Sequence, residues 1–294
     1  MAKYLVVKGW LGFGDRLESL KMAINFALLH NLKVYVDWTD SIWSHGNESF
    51  YTYFKLVNMP VLESLSEIPE DATVFPEYWK DHMTEPVSQE LLNDPERNKD
   101  LNLNILKPEL LSKADVIVFS SIGYRTLFLD STFFSNVFRV VHPRILDTLS
   151  QRQSQVNLDN SIGVHLRGTD RKKNEVQFTQ KIQWQSISAI HNGAFHNRPM
   201  IAVSDDKLGV EIWKRFFPQT LVFSDLSLRH TSDKGNHNVS KDELGVSKDE
   251  MNIDMLIDFF TISLCGTLLT TYKDSRFAAE ARRLHPVVKR ILGP

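Results

Sequence analysis

The first 37 residues constrain the fold more than any other stretch of the chain. Tyr4–Val7 is a short β-branched and aromatic run that reads as a strand. The turn Gly9-Trp10-Leu11-Gly12-Phe13-Gly14-Asp15-Arg16 follows it. From there Leu17, Leu20, Ala23, Ile24, Ala27 and Leu28 recur at helical spacing until His30-Asn31, and Lys33–Asp37 reads as a second strand. Strand, glycine-rich turn, helix and strand form the opening unit of a doubly wound parallel sheet. That opening predicts an α/β fold.

Residues 40–112 hold Pro60, Pro69, Pro76, Pro86, Pro95 and Pro108 and many aromatics, and read as loops and short helices. Asp115–Ser120 is a strand, and Ser135–Gln151 reads as helical apart from Pro143. A second alternation then begins. Strands are expected at Ile162–Leu166, Met200–Val203, Leu221–Phe223 and Leu268–Thr271, and helices at 179–191, Lys207–Phe216, Glu250–Leu264 and Ser275–Leu284. The 294 residues therefore predict two domains, 1–150 and 151–294, each Rossmann-like, facing across a cleft, with the terminal helix packing back on the first.

Composition excludes several classes. A 42% hydrophobic chain needs no staples, and the single cysteine, Cys265, lies in an apolar run and reads as a small buried residue, which suits a reducing compartment. Met1–Lys8 is too short for a signal peptide, and no window approaches the roughly 20 apolar residues that span a bilayer. A net charge of −2 gives no general case for nucleic acid. The run Arg171-Lys172-Lys173 keeps a local one open, although such runs are more often solvated. His191 with His196, and His230 with His237, do not match zinc spacings, so no metal is expected. Neither a P-loop nor a Gly-x-Ser-x-Gly elbow occurs.

Five constellations carry possible chemistry. Gly12-x-Gly14 lies at a helix N-terminus, where amides can approach an anion, and Arg16 in the first turn needs an anion to offset the dipole. The alternative is a tight turn with a solvated arginine. In Gly163-Val164-His165-Leu166-Arg167-Gly168-Thr169-Asp170, period-two alternation puts His165 and Arg167 on one face at a strand's carboxyl end, where α/β ligands bind. Asp170 would orient Arg167 or cap the next segment; the alternative is an internal salt bridge with a core histidine. Ser204-Asp205-Asp206 follows a strand and suits ribose hydroxyls or a metal, with a helix N-cap as the alternative for Asp206. Asp254 and Asp258 share a helical face among apolar neighbours and need partners, and one carboxylate matches the two adjacent N–H donors of guanine. Thr270–Phe277 is a strand, turn and helix start with phosphate-binding potential, or an ordinary cap by Asp274 or Ser275.

In their order and spacing these segments resemble the fucosyltransferase superfamily with the His-x-Arg-x-x-Asp motif, in particular the nodulation-factor-type α1,6-fucosyltransferases. The matching pieces are Gly12–Leu20 with Val36-Asp37-Trp38, Gly163–Asp170, Ser204–Asp206, and Ile257–Ser263 with Thr270-Thr271-Tyr272 and Phe277-Ala278-Ala279. The resemblance implies a GT-B-like fold and an inverting, metal-independent transfer of fucose from GDP-fucose to a glycan hydroxyl, without a cofactor, in the cytoplasm as in the bacterial enzymes. It implies that Arg167 holds the β-phosphate and that His165 is its companion near the nucleotide. Asp258 would read guanine, Asp205 and Asp206 would border the nucleotide, and Tyr272 and Ser275 would fall in the last nucleotide-contacting segment. Asp15 and Arg16 would face the sugar nucleotide from the first domain, with Asp15 and Glu18 as candidate bases. The core α1,6 enzymes carry a second arginine directly after the first, where this chain has Gly168. That departure keeps two other readings open: a transferase using another nucleotide sugar, and a binding module without turnover. The aromatics Trp38, Trp43, Phe50, Tyr51, Tyr53 and Phe54 suit either sugar stacking or a core.

Overall fold

A computed structural model of the chain describes residues 2–96, 106–120, 131–168, 175–191, 198–225 and 245–293. The chain divides into two compact units, residues 1–141 with 290–294, and residues 142–289.

In the first unit, strand β1 (Tyr4–Lys8) leads into helix α1 (Phe13–His30) and strand β2 (Lys33–Asp37). The helix stops where Asn31 turns left-handed at φ 52 and its N–H reaches the Ala27 carbonyl. A short helix α2 (Phe50–Tyr53), strands β3 (Phe54–Leu56) and β4 (Val74–Phe75), and helix α3 (Gln89–Asn93) follow. Strand β5 (Val116–Ser120), helix α4 (Ser131–Val137) and strand β6 (Phe138–Val140) complete this unit's order. The parallel sheet runs β2-β1-β5-β4, while β3 and β6 form a separate antiparallel pair. All five residues of β5 are buried, as expected of a strand covered on both faces.

The second unit begins with helix α5 (Pro143–Gln155) and strand β7 (Ile162–Leu166). Then come helix α6 (Glu175–His191), strand β8 (Met200–Ser204), helix α7 (Lys207–Phe216) and strand β9 (Leu221–Val222). Helix α8 (Lys248–Leu264), strand β10 (Thr267–Thr270) and helices α9 (Arg276–Leu284) and α10 (Val288–Leu292) finish the chain. Its parallel sheet runs β10-β7-β8-β9. The order of the strands reverses between β7 and β10, the switch point at which doubly wound sheets open a crevice. Alternation along β7 sends Ile162, Val164 and Leu166 into a core with Ile182 and Trp213. Gly163 and His165 face the opposite side, against Cys265 and Phe277.

Two segments depart from the sequence reading. Residues 40–112, read as loops and short helices, also hold strands β3 and β4, each too short for alternation to register. Residues 135–151 are not one interrupted helix: Pro143 is the first residue of α5, where a missing N–H costs nothing, and β6 intervenes. The aromatics of residues 38–54 form a core. Trp38, Trp43, Phe50, Tyr53 and Phe54 are each at most 2% exposed, and Phe13 stacks on Trp43 and Phe54 at 6.0 and 5.9 Å. Rings so enclosed cannot stack on a sugar. Cys265 is buried, and burial pushes its thiol up to about 12, so it is no nucleophile near neutral pH. Among the described residues no helix is long and apolar enough to cross a membrane.

Candidate functional site

The carboxyl edge of the first sheet is occupied by internal ion pairs. Arg16 is 2% exposed and grips Asp40 with both terminal nitrogens, at 2.8 and 2.7 Å, while its Nε donates to the Leu11 carbonyl at 3.0 Å. Trp38 and Trp43 flank the guanidinium at 5.4 and 5.3 Å. The carboxylate of Asp40 thus offsets the charge of Arg16 at the helix N-terminus. This arrangement shapes the loop. Leu11 is held at φ 65, a strained conformation for a leucine, and a Cβ at Gly9 would fall 2.1 Å from Arg16 Nη1. Gly12 is an extended N-cap residue, Gly14 is buried inside the first turn of α1, and Asp15 is half-buried in that turn. Lys8 and Asp37 form a second buried pair at 2.6 Å.

In the second unit, four strand ends converge. Arg167 follows β7 directly, and its Nη1 lies 3.0 Å from Asp205 Oδ2, with the Arg167 side chain 23% exposed. The other oxygen of Asp205 accepts the Gly168 N–H at 2.7 Å. The Arg167 amide donates to Thr271 Oγ1 at 2.8 Å, beyond β10. Arg167 is therefore fixed by β7, β8 and β10 together, while its side chain stays partly exposed. Asp205 acts as its clamp. Asp206 is the N-cap of α7, accepting from Leu208 and Gly209 at 2.8 and 3.3 Å, which is the capping alternative of the sequence reading.

His165 is 5% exposed, its Nδ1 3.2 Å from Thr270 Oγ1 and its ring stacked 5.3 Å from Phe277. Burial lowers its pKa to about 4, against the raising influence of Asp205. The imidazole is neutral at neutral pH and brings no charge to an anion, so the charge at this strand end falls on Arg167. The shift carries a stability consequence. The unfolded chain binds this proton below about 6.5 and the folded chain only below about 4, so the contribution is complete above 6.5 and is lost as pH falls through that window. Urea denaturation at pH 7 and pH 4.5 is expected to show a loss on the order of 2–3 kcal/mol from this residue, and a His165→Asn variant a smaller loss.

Asp258, 3% exposed on α8, is held at both oxygens. Arg152 Nη1 lies 3.3 Å from Oδ1, and Ser224 Oγ donates to Oδ2 at 2.5 Å. Ser224 lies just beyond β9, so Asp258 also belongs to the carboxyl edge of the sheet. Ser275 caps α9, accepting from Ala278 at 3.2 Å. Tyr272 is half-buried, with Lys181 Nζ 5.1 Å from its ring centre. A cavity of 580 Å³ opens beside β10, lined by Lys181, Gln185, Thr270, Tyr272, Asp274 and Arg282 among others. Thr270 and Thr271 are its shared wall with His165 and Arg167.

Asp170, the run Arg171-Lys172-Lys173, His196, His230 and His237 lie outside the described residues, as does the side chain of His191. Among the described residues no cluster of histidine, cysteine and carboxylate side chains is arranged to hold a metal. The sequence reading did not single out Arg152, Ser224 or Asp40. Arg152 sits on an amphipathic helix, where an arginine reads as a surface cation; its partner is 106 residues away.

No family model matches the chain, and no curated protein matches it. Solved structures do. NodZ α1,6-fucosyltransferase soaked with GDP-fucose superposes with a TM-score of 0.69 at 17% identity, over 97% of this chain and 93% of that one. Fucosyltransferase NodZ from Bradyrhizobium gives 0.68 at 17% identity over 96% and 92%. POFUT1 in complex with GDP-fucose gives 0.57 at 13% identity over 96% and 94%. The chain has the fold of these fucosyltransferases.

Proposed function

We propose that the protein is an inverting, metal-independent glycosyltransferase that moves fucose from GDP-fucose to a glycan hydroxyl. Arg167 carries this reading: a clamped, partly exposed arginine at a sheet switch point, in a fold shared with proteins solved in complex with GDP-fucose. The second unit would take the donor and the first the acceptor. In the transfer, the acceptor oxygen attacks the anomeric carbon, the anomeric C–O bond breaks, and its electron pair leaves on the diphosphate. Arg167 would stabilise that growing charge, which a fork of N–H donors does well. Asp15 is the candidate base for the acceptor proton.

Asp258 would pair with the two adjacent N–H groups of guanine, and Tyr272 and Ser275 would border the nucleotide. Asp258→Ala is accordingly expected to weaken GDP binding at least tenfold, or about 1.4 kcal/mol, as read by calorimetry. Unchanged affinity would remove Asp258 from base recognition. The reading as a whole is tested by thermal shift against GDP-fucose, GDP-mannose and UDP-sugars, followed by release of GDP from GDP-fucose with glycan acceptors. Stabilisation by GDP-fucose and acceptor-dependent GDP release are expected. Stabilisation by UDP-sugars alone points to another donor, and binding without turnover to a non-catalytic module.

A further inference from the structure

Asp258 is held by an unusual pair of partners, and the arrangement has more structure than helix packing needs. Arg152 is 6% exposed. Its Nη1 reaches Asp258 Oδ1 at 3.3 Å and Thr261 Oγ1 at 2.7 Å, and its Nη2 donates to the Phe223 carbonyl at 2.7 Å. The guanidinium stands 4.8 Å over the Phe223 ring. Taking a guanidinium out of water is costly unless its donors are matched, and here they are matched to three different places. Ser224 holds the second carboxylate oxygen and accepts the Ser204 N–H at 3.4 Å. Ser204 directly precedes Asp205, the clamp on Arg167.

A carboxylate on a short side chain turns easily about its last bond. One partner on each oxygen stops that rotation and fixes the plane in which both oxygens are presented. A purine edge with two adjacent N–H donors needs such a fixed plane, because both bonds form only when both oxygens lie opposite the donors. We propose that Arg152 is a positioning residue for donor recognition: with Ser224 it sets the orientation of Asp258 and thereby the preference for guanine over purines lacking the 2-amino group. The proposal rests on the donor reading above. It adds that the base-reading and phosphate-holding ends share one frame, Arg152–Asp258–Ser224–Ser204–Asp205–Arg167.

The test is the ratio of affinities for GDP and IDP, which differ by the single 2-amino group, measured by calorimetry. Wild type is expected to prefer GDP by about tenfold or more. Ser224→Ala and Arg152→Met are expected to bring the two affinities within about threefold, and Arg152→Lys to recover part of the preference. Thr261→Val, which removes an Arg152 contact without touching Asp258, is expected to keep it. A structural tie alone would lower the melting temperature and leave the ratio unchanged, so a retained GDP preference in Ser224→Ala and in folded Arg152→Met overturns the proposal. If Arg152→Met does not fold, Ser224→Ala decides. A wild type that binds GDP and IDP equally overturns it as well, and a wild type that binds neither overturns the donor reading first.

Discussion

Arg167→Ala is expected to lower the rate of fucose transfer by about a thousandfold or more while the protein stays folded. The size follows from where the charge develops. On the proposed reaction the diphosphate is already solvated in the ground state, and the guanidinium would add modest binding. As the anomeric bond lengthens, negative charge builds on the leaving oxygen, and an arginine already held in place meets it without reorganisation. The loss should therefore appear mainly in kcat, with a smaller change in KM for GDP-fucose. Stability should hardly move, because the Arg167–Asp205 pair is partly solvated and such pairs contribute about 1 kcal/mol or less. Asp205 also keeps the Gly168 N–H. Arg167→Lys should recover little, since an ammonium has no fork to match the oxygens. Full activity in Arg167→Ala would remove the residue from the mechanism.

The second expectation runs against the analogy with the core α1,6 enzymes. By that analogy, an arginine at position 168 adds a phosphate contact. In this chain it should damage the site. A Cβ on residue 168 would lie 2.3 Å from the Asp206 Cβ and 2.8 Å from its Cγ and Oδ2. The Asp206 Cβ cannot retreat without releasing the cap on α7, and the neighbouring Asp205 would lose the geometry that holds Arg167. Overpacking of this kind costs about 1–3 kcal/mol, and a lost cap about 1 kcal/mol more. Gly168→Arg and the smaller Gly168→Ala should both lose that stability in chemical denaturation and most of the transfer rate. A gain of activity in Gly168→Arg would mean that the backbone there yields and that a phosphate ligand is missing from the native chain.

The parts of this fold that repeat were legible in the sequence. The opening β1–α1–β2 unit, the strand at Ile162–Leu166 and the helix at Lys207–Phe216 follow from periodicity and stop signals alone. The same alternation located Arg167 at a strand end. Partners were not legible, because contacts between distant residues leave no local pattern. The carboxylate that pairs with Arg16, Asp40, sits 24 residues on, past an aromatic loop. The cap by Asp206 was legible, because a helix pattern starts directly after it, whereas the clamp of Asp205 on Arg167 depends on the turn after β8 and on a strand end 37 residues earlier. Strand β6 is three residues long, too short for alternation to register. The place of His165 near a strand end was legible, while the lowering of its pKa depends on burial that only the packed structure supplies.

The central claim is that one guanidinium at the end of β7 holds a diphosphate, and a crystal structure of the protein with GDP bound tests it most directly. The account predicts β-phosphate oxygens within hydrogen-bonding distance of Arg167, with Asp205 still clamped to it. A diphosphate bound elsewhere, with Arg167 turned away from it, would contradict the account.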